Sequence, residues 1–123
     1  VPVRCLIVDD SDHFKEAARL LLEADGIAVV GVASTTAEAL RSLRELRPDL
    51  VLVDIDLGEE NGFDLVPRLR AETGECPPRI ILISTYDEQD YAEMIASSPA
   101  LAFLSKPSLS GRAIDEILRR ADA

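Results

Sequence analysis

Apolar and polar residues alternate along this chain on two different periods. Short, nearly unbroken apolar runs of strand length are separated by longer stretches whose apolar residues recur at helical spacing. The first kind of run marks a strand covered on both faces, and the second a helix with one buried side. The first run covers residues 3–8 and stops at Asp9-Asp10-Ser11-Asp12, where Ser11 or Asp12 suits a helix N-cap. Phe14, Ala17, Ala18 and Leu21 then recur at helical spacing, and Gly26 suits a helix stop. A β-branched run follows over residues 27–33. Thr35 or Thr36 opens a second helix with apolar positions Ala39, Leu40, Leu43 and Leu46, closed by Pro48. Residues 50–53 are apolar throughout and end at Asp54. Gly58, Asn61 and Gly62 mark a loop, and residues 63–72 read as a helix. Pro77-Pro78 introduces a fourth run over 79–84. A weaker helix is expected over 88–97, ended by Pro99, and a short strand over 101–104. The last helix carries Leu109, Ala113, Ile114, Ile117 and Leu118 on one face.

This is a βα unit repeated five times, with no internal sequence repeat and no low-complexity segment. Alternating β and α with continuous apolar strands implies a parallel sheet covered by helices on both faces. Right-handed crossovers leave few topologies, and five strands are too few for the eight-stranded barrel. The expected fold is α/β: a five-stranded parallel sheet in the order 2-1-3-4-5, flavodoxin-like.

The 123 residues suit a single domain spanning 1–123, and 47% hydrophobic residues suffice for a core. A net charge of -10, from 23 acidic and 13 basic residues, argues against nucleic-acid binding, which needs clustered Lys and Arg. It leaves cations and basic partners open. No apolar run approaches the roughly 20 residues that cross a bilayer, and the start of the chain does not read as a signal peptide. Cys5, within an apolar run, and Cys76 form no CxxC and are expected to be reduced thiols in a cytoplasmic protein. The chain does not begin with Met, which leaves a partner domain elsewhere in the native protein open.

In open α/β sheets the site lies beyond the carboxyl ends of the strands, near the switch in strand order. Strand 1 ends in Asp9-Asp10, strand 3 in Asp54, strand 4 in Ser84-Thr85 and strand 5 in Lys106. Any one of these can be a cap or a turn former, but that reading explains the whole set poorly. Clustered carboxylates raise one another's pKa and require a cation. A hard divalent ion such as Mg²⁺ fits oxygen ligands, and Lys106 adds a fixed positive charge. A carboxylate so held is a poor base but a usable nucleophile toward phosphorus. Phosphoryl transfer then needs in-line positioning and neutralisation of the equatorial oxygens, to which Mg²⁺, Lys106 and the Ser84 hydroxyl can each contribute.

Five pieces of sequence occur in order: Leu6-Ile7-Val8-Asp9-Asp10, then residues 48–54, then Asn61-Gly62, then Ile80-Ile81-Leu82-Ile83-Ser84, then Phe103-Leu104-Ser105-Lys106-Pro107. In these, over its full length, the chain resembles the receiver domain of two-component response regulators. The resemblance implies that Asp54 is the phosphoacceptor. Asp9 and Asp10 would be the acid pair for Mg²⁺, with Asp10 and Asp54 direct ligands and the Asp56 backbone carbonyl completing the set. Ser84 would bond the phosphoryl group, Phe103 would be the aromatic rotamer switch and Lys106 the essential lysine. It further implies a cis peptide between Lys106 and Pro107.

The implied donor is the phosphohistidine of a sensor histidine kinase or a phosphotransfer protein. The implied output is a changed surface on helix 4, strand 5 and helix 5, used for a homodimer or a downstream output domain. On this reading the chain catalyses only its own phosphorylation and dephosphorylation. Leu57-Gly58 departs from the frequent Met-Pro, so a more flexible loop is expected there. Thr85 replaces a usual small residue, and Asp56 and Tyr86 occupy positions that tune dephosphorylation in the family. Both are expected to slow water attack.

Two other readings remain open. One is an interaction module of the same fold that is not phosphorylated. The other is a haloacid-dehalogenase-like phosphatase, echoed by Asp54-Ile55-Asp56. It is opposed by two preceding strands and by Gly58 after the motif. No GxGxxG or GxxxxGK occurs among the six glycines. His13, the only histidine, reads as a solvent-facing residue in the first turn of a helix.

Overall fold

A computed structural model describes residues 2–74 and 76–122. Five strands form one sheet: β1 Arg4–Val8, β2 Ala28–Ala33, β3 Leu50–Asp54, β4 Arg79–Ser84 and β5 Ala102–Ser105. Their order is β2-β1-β3-β4-β5 and every pairing is parallel, as the alternation of elements predicts. The helices are α1 Asp12–Ala24, α2 Thr36–Leu46, α3 Gly62–Thr73, α4 Ala92–Ser97 and α5 Gly111–Asp122.

The period of two along each strand divides the core in half. Leu6, Val8, Val51, Val53, Ile80 and Leu82 face α2 and α3, packing with Leu40, Leu43, Leu65 and Leu69. Cys5, Ile7, Leu50, Leu52, Ile81 and Ile83 face α1 and α5, packing with Ala18, Leu22 and Ile114. All five residues of β3 are buried, so the strand is apolar on both faces up to Asp54. Truncating a side chain such as Leu52, which is 0% exposed, would cost about 2–5 kcal/mol. The sheet therefore holds its carboxyl edge rigidly.

Caps settle the helix starts. Ser11, not Asp12, caps α1, its Oγ accepting from the Phe14 N–H at 3.1 Å. Thr35, not Thr36, caps α2 by accepting from the Glu38 N–H. Asn61 caps α3, which contains Pro67. Cys5 is buried and Cys76 exposed, and neither is in a disulfide.

Four expectations are corrected. The buried face of α1 is Ala18 and Leu22 with Phe14 partly buried, whereas Ala17 is exposed and Leu21 is 44% exposed. The helix is rotated so that the Lys15 stem is buried and its ammonium reaches Ser34 Oγ. The expected helix over 88–97 is split into a 3₁₀ turn, Glu88–Tyr91, and the short α4. The loop after Asp54 closes into a small antiparallel ladder, Asp56–Leu57 with Glu60–Asn61, and Gly58 takes the left-handed φ of 74° at its turn. Among the described residues no peptide bond is cis. Lys106-Pro107 is trans, the form favoured by about 0.5–1 kcal/mol, and opens the 3₁₀ turn Lys106–Ser108.

Candidate functional site

The site lies where the strand order switches, between the ends of β1 and β3. Val8 pairs with Val53 and Asp54 with Ile83, so three strands stop at one level and deliver Asp9, Asp54 and Ser84 together. All three are buried, at 0%, 4% and 1% exposure, whereas Asp10 is exposed. One carboxylate oxygen from each of Asp9, Asp10 and Asp54 lies within 4.8 Å of the others.

Lys106 enters from the end of β5. Its Nζ is 2.7 Å from Asp9 Oδ2 and 3.2 Å from Asp54 Oδ2. Asp54 Oδ1 accepts from the Asp56 N–H at 3.1 Å. Asp9 is engaged on both oxygens. Its Oδ1 accepts from the Ser11 N–H at 2.8 Å, while Oδ2 meets only the Lys106 cation and no well-aimed donor. The Ser84 Oγ accepts from the Tyr86 N–H at 3.0 Å, which leaves its own proton free to donate elsewhere.

Gly62 is required by close approach. A Cβ there would sit 2.2 Å from the Asp54 carbonyl oxygen, and the Gly62 N–H donates to the Ile55 carbonyl at 2.8 Å. The first turn of α3 is thereby pressed against the backbone of the Asp54 segment. A side chain at that position would push Asp54 out of the cluster.

Asp10, Asp54, Asp56, Ser84, Thr85, Tyr86 and Lys106 line a cavity of about 190 Å³. Asp9 lies beneath it rather than in its wall. Phe103 is partly buried against the α2–α3 half of the core, beside the sheet edge and outside the cavity. The Asp56 carboxylate is turned back to its own loop, accepting from the Gly58 N–H at 3.1 Å. The Tyr86 ring is 58% exposed at the cavity mouth and stands edge-on to Tyr91, centroids 6.5 Å apart. His13 is exposed and takes no part.

Burial, and then the neighbouring Asp9 charge, push the Asp54 carboxyl up to about 7, against the opposing pull of Lys106 and the Asp56 N–H. For Lys106, burial alone would favour the neutral amine. Asp9 and Asp54 outweigh it and raise the ammonium above its ordinary value. The cluster thus holds more negative charge than its single lysine neutralises. Such an arrangement favours a bound cation, or an electrophile that takes up the charge of Asp54.

The strand ends read from the sequence place Asp9, Asp10, Asp54, Ser84, Thr85 and Lys106 at one edge, and the structure brings them together, with Asp56 beside them. Sequence reasoning missed Ser11 as a partner of Asp9. It also missed Phe14, whose ring lies under Lys106 with Nζ 4.2 Å from the centroid. At helical spacing Phe14 reads only as core.

Residues 5–119 match the family described as the response regulator receiver domain. The chain is 37% identical over 119 residues to protein-glutamate methylesterase/protein-glutamine glutaminase 1 of Syntrophus aciditrophicus, covering 92% of this chain and 33% of that protein. It is 32% identical over 106 residues to the sensory transduction protein LytT of Bacillus cereus, covering 85% of this chain and 42% of that protein. Among solved structures it is similar to a LuxR-family two-component response regulator from Aurantimonas sp., with a TM-score of 0.83 and 28% identity over 98% of this chain and 87% of that one. It is also similar to the signal receiver domain of a modulated diguanylate cyclase from Desulfovibrio desulfuricans, with a TM-score of 0.80 and 30% identity over 98% and 94% of the two chains. The chain belongs to the receiver domain family of response regulators. It spans less than half the length of those two curated relatives. Among the described residues no helix is long and apolar enough to cross a membrane.

Proposed function

We propose that residues 1–123 form one receiver domain in which Asp54 accepts a phosphoryl group and thereby switches the molecule between two states. The observation that carries this reading is the placement of Asp54. It is buried, ion-paired to Lys106 at 3.2 Å, beside two further carboxylates, at the floor of an open cavity. A carboxylate oxygen of Asp54 attacks phosphorus, and the bond from phosphorus to the donor's nitrogen or oxygen breaks. Lys106 neutralises one phosphoryl oxygen, and the free proton of Ser84 is donated to another.

The donor set fits Mg²⁺. The ligands are hard oxygens, they are over-charged without a cation, and Asp10 is exposed and free to coordinate. Asp10 and Asp54, with the Asp56 carbonyl, would hold the ion. Asp9, already spent on Ser11 and Lys106, would orient that set rather than bind as tightly. A bound Mg²⁺ supplies charge neutralisation to the phosphoryl oxygens.

Phosphorylation adds nearly two negative charges at Asp54. Ser84 is then drawn inward, Phe103 turns into the vacated space, and the face made by α4, β5 and α5 changes shape. That face would serve a homodimer or an output domain. The donor would be the phosphohistidine of a sensor histidine kinase or phosphotransfer protein in the cytoplasm. The domain acts on no substrate but itself, and it reads no nucleic acid directly.

The test is intact mass after incubation with acetyl phosphate and Mg²⁺. A single added phosphoryl group is expected, absent from Asp54→Asn and abolished by chelator. A folded, Mg²⁺-binding protein that gains no mass would support the non-phosphorylated module instead.

A further inference from the structure

We propose that Phe14 is a positioning residue for phosphoryl transfer, its ring face holding the Lys106 ammonium between Asp9 and Asp54. The inference rests on the reading of Asp54 as acceptor. Lys106 carries its charge on a flexible four-carbon stem at the end of an edge strand, beyond Ser105. Asp10 lines the same cavity and offers that charge a further carboxylate beside Asp9 and Asp54. Something must keep the ammonium on Asp54.

The ring does this. Nζ lies 4.2 Å from the Phe14 centroid, inside the roughly 6 Å over which a cation is attracted to an aromatic face. Phe14 is itself anchored, partly buried against the α1–α5 half of the core. Its backbone is tied to the acid pair. The Phe14 N–H donates to Ser11 Oγ, the Ser11 N–H donates to Asp9 Oδ1, and Asp9 Oδ2 meets Lys106. The contacts close a circuit: Asp9, Ser11, Phe14, Lys106 and back to Asp9. The cap of α1 thus sets the ring and one carboxylate together, and both fix the ammonium.

The competing account is that Phe14 only fills space. An apolar, non-aromatic replacement separates the two. In Phe14→Leu the rate constant for phosphorylation by saturating acetyl phosphate should fall about three- to tenfold, the size of one partly desolvated cation–π contact. Phe14→Tyr should keep the wild-type rate, and in a Lys106→Ala background Phe14→Leu should add no further loss.

Without any phosphodonor, the Lys106 ε-methylene protons should resonate upfield in the wild type, under the ring, and return to the ordinary lysine position in Phe14→Leu. If Phe14→Leu does not fold, Phe14→Met repeats the test. The proposal is overturned if the non-aromatic variant matches wild type, if the Tyr variant slows as much as Leu, or if the lysine protons show no ring shift. If wild type itself gains no phosphoryl group, the reading of Asp54 falls and the role of Phe14 with it. If wild type is phosphorylated and Phe14→Leu keeps pace, only the role of Phe14 falls.

Discussion

Asp54→Asn should stabilise the metal-free protein, although it removes the proposed acceptor. Unfolded, the Asp54 carboxyl releases its proton near 3.8; folded, it does so near 7. Between those values the folded state binds a proton that the unfolded state does not. Stability is therefore greatest below the unfolded value, falls as pH rises through the window from about 4 to about 7, and is flat above it. A rise of about three units at about 1.4 kcal/mol each sets an upper bound of about 4 kcal/mol. The cavity over Asp54 is open to water, so about 1–3 kcal/mol is the expected share.

Asparagine keeps the shape and carries no charge. Urea unfolding in EDTA at pH 8 should show Asp54→Asn more stable by that amount, and the gap should narrow as pH falls through 7 and close only below about 4, where the wild-type carboxyl is protonated folded and unfolded alike. Added Mg²⁺ should raise wild type more than the variant. An Asn variant equal to or weaker than wild type at pH 8, or a gap no smaller at pH 5 than at pH 8, would refute the reasoning.

Gly62→Ala should unfold the site rather than merely perturb it, since a Cβ meets the Asp54 carbonyl at 2.2 Å; a loss above about 2 kcal/mol in urea and of acetyl-phosphate reactivity is expected. Because a proton and Mg²⁺ compete for Asp54, Mg²⁺ affinity by calorimetry should weaken up to about tenfold per unit as pH falls below about 7, and a flat profile would count against Asp54 as ligand. Asp56→Ala and Tyr86→Ala should each release phosphate faster than wild type, because they remove a carboxylate and a ring from the cavity wall; a phosphate-release time course with neither faster would sink that idea.

The parts of the fold that were legible were those where one force dominates. Residues such as Val51, Leu52 and Ile81 have no polar neighbour within their runs, so strand and burial follow together. Asp9, Asp54, Ser84 and Lys106 end such runs, and the topology then places them at one edge. The phase of α1 was not legible. In Leu20-Leu21-Leu22 only the last is buried, and a lysine takes a core-facing place because its stem is apolar and its tip finds Ser34.

Other features turn on small differences. Helix 4 has few apolar residues besides Met94 and Ile95, so little packing enforces α over 3₁₀ geometry from residue 88 to 91. The isomer before Pro107 turns on an intrinsic difference under about 1 kcal/mol, which a sequence pattern does not decide. The ring of Phe14 beneath Lys106 joins the first helix to the last strand end, a contact that no local spacing encodes.

The central claim is that phosphorus becomes bonded to Asp54. Borohydride reduces an acyl phosphate to an alcohol, converting a phosphorylated aspartate to homoserine while leaving free carboxylates unchanged. After treatment with acetyl phosphate and Mg²⁺, reduction and proteolysis, peptide sequencing by mass spectrometry should find homoserine at position 54 alone. Homoserine at position 9, 10 or 56, or at none, would contradict the account.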